Sequence, residues 1–187
     1  MESSLHDAWA ASYDAWVDVP GQSGVIYNRP GALEEGSEPY PASVLASHLF
    51  AVMAWNPMGL LASAEENDRA HEKLTAAVNA WVPPPGGWVA PFFGFSVEWR
   101  EPGFVLACPR DDAAGVAATR AFVHAQATAF SQGAIYEYTP IDGSNCALLR
   151  KTTHVLMSAD VDATVFLVQT PRPDTPLAAP DARHALN

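Results

Sequence analysis

The stretch from Ser47 to Trp81 limits the folds open to this chain more than any other. Leu49 to Trp55 is a nearly continuous apolar run without alternation, the pattern of a strand covered on both faces. Asn56-Pro57 ends it, because proline removes a ladder donor and restricts the residue before it. After Gly59, Ser63-Ala64-Glu65-Glu66 spells a capping box, in which serine and glutamate satisfy each other's free amides at a helix start. The helix then carries Ala70, Leu74, Ala77, Val78 and Trp81 on one stripe, with Asn67 and His71 at its border and Glu65 and Arg69 paired on the wet side. A buried strand, a short loop and a capped helix thus gather polar side chains at one join, where the helix start offers amide donors to an acidic or carbonyl-bearing ligand.

The other elements follow from periodicity and punctuation. Leu5, Trp9, Tyr13 and Trp16 predict an amphipathic helix over residues 4–17, followed by a short strand at Val25 to Tyr27. Residues 30–43 are rich in Pro, Gly and Glu and read as a loop. Past the Pro83-Pro84-Pro85-Gly86-Gly87 break, Trp88 to Trp99 reads as a strand with Phe93, Phe95, Val97 and Trp99 on one face. Phe104 to Cys108 is a second short buried strand. Asp111 or Asp112 can cap a second helix bearing Val116, Phe122, Val123, Ala127 and Phe130, with Gly133 placed to end it in the left-handed conformation. Ala134 to Thr139 is a strand, Asp142-Gly143 signals a hairpin to Ala147–Lys151, and Val155 to Met157 with Ala163 to Gln169 would add another. The Pro- and Asp-rich tail, 171–187, has the composition of a disordered segment.

Strand, helix, strand, strand, helix, strand is the order of an α+β, ferredoxin-like split βαβ core: an antiparallel sheet with helices on one face. Residues 1–170 then form one domain. The opposite sheet face needs the N-terminal helix, the C-terminal hairpin or a second subunit over it, and the last option makes a homodimer an expectation.

Ala54-Trp55-Asn56-Pro57 followed by Glu65-Glu66-Asn67 resembles the signature of a bacterial family known as domain of unknown function 3293. Glu101-Pro102-Gly103-Phe104 and Phe130-Ser131-Gln132 running into a strand are also similar to it. That pattern has glycine where this chain has Ser131, and threonine is common where it has Met53. The resemblance spans Leu49 to about Tyr138 and implies a related domain without implying a reaction.

Bulk properties exclude several function classes. A net charge of −11 and a pI near 4.7 leave no basic face for a nucleic-acid backbone or an anionic membrane surface. Cys108 and Cys146 lack C-x-x-C spacing, so free thiols in a reducing cytoplasm are expected. The N-terminus lacks a signal-peptide core and no apolar run approaches a membrane span. The six histidines show neither HxH nor HExxH spacing, and phosphate-loop motifs are absent, so neither a metal nor a cofactor is expected. Cys108, at a strand end before a helix, has no base supplied in sequence and reads as a buried, inert thiol.

What survives is a polar constellation: Asn56, Glu66, Asn67, His71 and Gln132, with Tyr136 and Glu137 on the last central strand and Trp55 beside the join. Carboxamides donate and accept, which suits amides, nucleobases or amino-acid-like ligands, and Glu66 or His71 could act as general base if partly buried. The expectation is a domain that binds a small molecule, with cofactor-independent acid–base or hydrolytic chemistry. Trp55, Asn56, Asn67, Gln132 and Tyr136 would then bind substrate. The alternative is a non-catalytic module that senses a ligand or binds a protein. An enzyme requires a pocket with a titratable group of shifted pKa, whereas a module requires an exposed apolar surface.

Overall fold

The computed structural model describes residues 15–22, 25–30, 38–95, 100–157 and 161–170. Its central strand is β3 (Ser47–Met53), antiparallel to β5 (Arg100–Pro109) on one side and to β6 (Ala134–Pro140) on the other. Successive side chains go to opposite faces, and both faces are covered: Leu49 and Ala51 meet one apolar cluster while Phe50 and Val52 meet another. Double burial is why the run does not alternate. It stops at Met53, so Trp55 stands in the loop beyond the strand rather than in it.

From this centre the sheet extends both ways. β4 (Trp88–Phe95) pairs with β5, while β7 (Ala147–His154) and β8 (Ala163–Thr170) follow β6. β2 (Val25–Pro30) pairs with β8, and β1 (Ala15–Val17) joins β2 to β4. The result is a closed antiparallel barrel in the order β1-β2-β8-β7-β6-β3-β5-β4. The mixed α+β class and the antiparallel sheet agree with the sequence reading, but an open ferredoxin-like sheet is not what forms. Its far face becomes the inside of a barrel, so no second subunit is required to cover it.

Two helices lie against the outside of this wall. α2 (Ala64–Ala80) contributes Leu74 and Val78, and α3 (Ala113–Ala129) contributes Val123 and Ala127, to a cluster with Phe50, Val52, Leu106 and Ile135. A four-residue helix, α1 (Ala42–Leu45), leads into β3, within the segment read as loop. No helix among the described residues is long and apolar enough to cross a membrane.

Several local expectations change. Ala15–Val17 is strand, not the end of a helix, because its backbone bonds complete the barrel; residues 4–14 of the expected helix lie outside the described residues. In β4 the buried face carries Ala90 and Phe92, with Phe93 on the other side, and Val97 and Trp99 lie outside the described residues. Ser131, at φ 52°, takes the left-handed position expected of Gly133. Val155, Leu156 and Met157 form no strand and instead donate their three amides to the Gly133 carbonyl. The turn at Asp142-Gly143 does join β6 to β7, with Gly143 at φ 82°. The tail, 171–187, is outside the described residues.

Eight strands enclose a space that side chains can just fill, or that can hold one small ligand. Here one end is filled, by Leu49, Val105, Tyr138, Leu148, Val165 and Leu167. At the other end, where β3 and β4 finish and β5 and β6 begin, Ala51, Gly94, Gly133 and Ala134 are too small to fill it, and a cavity opens.

Candidate functional site at the open end of the barrel

The cavity has a volume of about 140 Å³. Its walls are mainly apolar, with Met53, Phe92, Ile135 and Tyr136 prominent, and its polar groups are Asn56, Glu101 and Gln132. The rim includes Gly59 and Leu61 from the loop between β3 and α2, and Leu61 is 91% exposed. An engineered apolar cavity of similar size holds a benzene ring, which sets the scale of a ligand.

Asn56 orders the polar side of this space. The chain leaves β3 and turns there with φ 48°, a left-handed conformation that asparagine tolerates better than most residues. Met58, at φ 53°, is also left-handed and is the bulkier exception; its amide donates to the Ser131 carbonyl at 2.8 Å, which ties this loop to the end of α3. The Asn56 backbone amide donates to Asn67 Oδ1 at 3.0 Å. Its side-chain Oδ1 accepts from Asn67 Nδ2 and from the Ala62 amide, both at 3.1 Å. With the oxygen so engaged, the Nδ2 group must face the other way, where it donates to Glu101 Oε1 at 2.7 Å.

Glu101 lies near the start of β5, opposite Gly94 of β4. Burial pushes its carboxyl up to about 7, and the Asn56 hydrogen bond only partly opposes that rise. Among the described residues Asn56 is its hydrogen-bond partner, so the second oxygen is left to the cavity. A carboxyl that titrates near neutrality can both give and take a proton, as acid–base chemistry demands.

The structure sorts the residues expected from sequence into two groups. Asn56, Gln132 and Tyr136 line the cavity, and Asn67 sits buried directly behind Asn56. Gln132 donates from Nε2 to the Trp55 carbonyl at 2.9 Å, so Trp55 enters through its backbone, while its buried indole Nε1 finds no acceptor among the described residues. Glu66 and His71 do not line the cavity. Glu66 is exposed and completes the capping box: the Ser63 amide donates to its Oε2 at 3.0 Å, and its own amide donates to Ser63 Oγ at 3.2 Å. The Ser63 hydroxyl and amide hold its carboxyl below the ordinary range, the wrong direction for a base at neutral pH. His71 packs on the helix side, its ring stacked on Phe104 with centroids 5.6 Å apart. Burial lowers its pKa against the pull of Asp68.

Glu101 is the group the sequence reading passed over. Its motif, Glu-Pro-Gly-Phe, carries the family resemblance, but only the β4–β5 register shows that its side chain points inward.

Glu137 belongs to a different place. Adjacent strand residues face opposite ways, so Tyr136 points into the barrel while Glu137 points out beneath α3. There its carboxylate meets His48 Nε2 at 2.7 Å, Arg120 Nε at 3.0 Å and Nη2 at 2.9 Å, and Thr153 Oγ1 at 2.8 Å. Burial alone would raise it, but these donors and the Arg120 charge hold it at about 2. Cys108 lies on this side too, fully buried, and burial pushes its thiol up. A protonated, covered thiol is no nucleophile.

Among the described residues no three His, Cys, Asp or Glu side chains are grouped to hold a metal ion. No curated protein and no solved structure matches the chain. Residues 52–135, which carry Asn56, Asn67, Glu101 and Gln132, match the family described as protein of unknown function (DUF3293).

Proposed function

We propose that the open end of the barrel binds one small, largely apolar molecule, and that Glu101, oriented by Asn56, exchanges a proton with it in cofactor-independent acid–base chemistry. The observation that carries this reading is a carboxyl facing an apolar cavity, with one oxygen held at 2.7 Å by an amide that is itself fixed from behind. Pre-set orientation of this kind is what an acid–base group needs before a substrate arrives. Asn67 fixes Asn56, Gln132 fixes the loop at Trp55, and Tyr136 supplies an aromatic wall. Glu66 and His71 have no part in it.

Two wider readings go with this one. The pairing order β6-β3-β5-β4, with α2 and α3 as crossovers on one face, supports a ferredoxin-like split βαβ nucleus around which the barrel is completed. Two free cysteines fit a reducing compartment such as the cytoplasm.

A screen of small aromatic and aliphatic fragments, followed by the methyl NMR signals of Met53 and Ile135, tests the site. Binders should move these signals, and Glu101→Gln should keep the fold and the binding of neutral fragments while abolishing any turnover found. A ligand that binds but is never transformed by either protein would leave the ligand-sensing alternative instead. If no fragment perturbs these methyls, the cavity is not a binding site.

A further inference from the structure

We infer that the ligand is a small organic cation, an ammonium group on an apolar body about the size of a benzene ring, with the Glu101 carboxylate as its counter-ion. This rests on reading the cavity as a ligand site and names the chemistry that would fill it.

Three observations converge on a cation. Among the described residues the lining contains one carboxylic acid, Glu101, and no lysine, arginine or histidine. An anionic ligand would therefore meet a carboxyl directly, while the buried Arg150 stands over the Tyr136 ring and bonds the Val161 carbonyl rather than lining the space. The ionised form of Glu101 is poorly served by the protein itself, since among the described residues one amide donor, Asn56 Nδ2, reaches it. A buried carboxylate so placed gains from a cation with donors of its own. Finally, Phe92 presents an aromatic ring in the same cavity, and ring faces attract ammonium groups where water is excluded, as the Arg150 guanidinium 4.6 Å from the Tyr136 ring centroid already illustrates. The chain as a whole, at −11, also draws cations toward its surface.

The charge bookkeeping is simple. A protonated Glu101 and an incoming ammonium ion give a carboxylate–ammonium pair and release one proton to solvent; no bond other than O–H breaks. With the carboxyl poised at about 7, it is close to half protonated at neutral pH, so binding there should release about half a proton per ligand.

Isothermal titration of the full chain at pH 7 with benzylamine, benzyl alcohol and toluene, each in two buffers of different ionisation enthalpy, tests this. Benzylamine should bind at least tenfold more tightly than benzyl alcohol and release about half a proton, and Glu101→Gln should erase that preference. Equal binding of benzylamine and benzyl alcohol without proton release would overturn the cation and leave the cavity as a neutral site. A preference for benzylamine that persists in Glu101→Gln would overturn Glu101 as its counter-ion. Binding of none of the three would overturn both this inference and the site itself. The wild-type comparison and the proton count stand whether or not the variant folds.

Discussion

Among the described residues three non-glycine ones take left-handed backbone conformations, and they stand around one end of the barrel: Asn56 and Met58 in the loop after β3, and Ser131 after α3. The Met58 amide and the Ser131 carbonyl bond to each other, so the strained positions are coupled rather than scattered. A Cβ in this region costs about 1–2 kcal/mol, a strain that glycine in place of Ser131 would not carry. Ser131→Gly should therefore stabilise the protein, by about 0.5–1 kcal/mol once the freer unfolded chain is counted. A rise of about 2 °C in thermal midpoint is the readout; an unchanged or lower midpoint would mean that the Ser131 side chain offsets the strain. The same residue scale shows what sequence could convey about the site. Asn56 and Asn67 are legible as a pair because a strand end and a capped helix start hold them eleven residues apart. Glu101 is not, because its partners come from β4 and from a loop forty-five residues upstream.

At the scale of elements, legibility follows locality in the same way. The capping box of α2, the Asp112 cap of α3 with its side chain bonded to the Gly115 amide, and the β6–β7 turn are local, and they form where the residues place them. Barrel closure is not local. It depends on β1 and β2, whose sequences carry no period that distinguishes them, finding β4 and β8 far along the chain. Trp16, the last member of the expected helical stripe, is buried in a strand, where alternation rather than helical spacing decides its face. Gly103 shows how tightly the closed wall is built. It lies between Met53 of β3 and Phe92 of β4, and a Cβ there would fall on the Val52 carbonyl and the Phe92 ring. Because the obstruction is backbone on one side and a cavity-wall ring on the other, it cannot be relieved by rotating an end group. Gly103→Ala should cost about 2–3 kcal/mol in urea unfolding and weaken fragment binding in the cavity. A variant as stable as the wild type would show that β3 and β5 can separate at this point.

For the molecule as a whole, two carboxyls on opposite faces of one wall give stability opposite dependences on pH. Glu137, held at about 2 by His48, Arg120 and Thr153, binds fewer protons folded than unfolded below the ordinary glutamate value of about 4.3. Its contribution is therefore complete above that value and is lost as pH falls toward 2. Glu101, raised by burial to about 7, binds more protons folded than unfolded, so its contribution is greatest in mild acid and is lost as pH rises through 7. His71, lowered by burial, leans against Glu101, because a neutral folded imidazole favours higher pH. Comparing each variant with the wild type cancels that background. Relative to the wild type, Glu101→Gln should gain on the order of 2–3 kcal/mol between pH 5 and pH 8, and Glu137→Gln should lose a similar amount between pH 2 and pH 5. Only these slopes count, since Glu137→Gln also takes the negative charge and one acceptor oxygen from Arg120 and His48 at every pH. Urea unfolding at pH 2, 5 and 8 supplies all three points for all three proteins. A Glu101→Gln difference that stays flat from pH 5 to pH 8 would mean that the cavity carboxyl ionises as an ordinary surface glutamate does. Neither the proton exchange proposed for it nor the proton released by an amine ligand would then have a source.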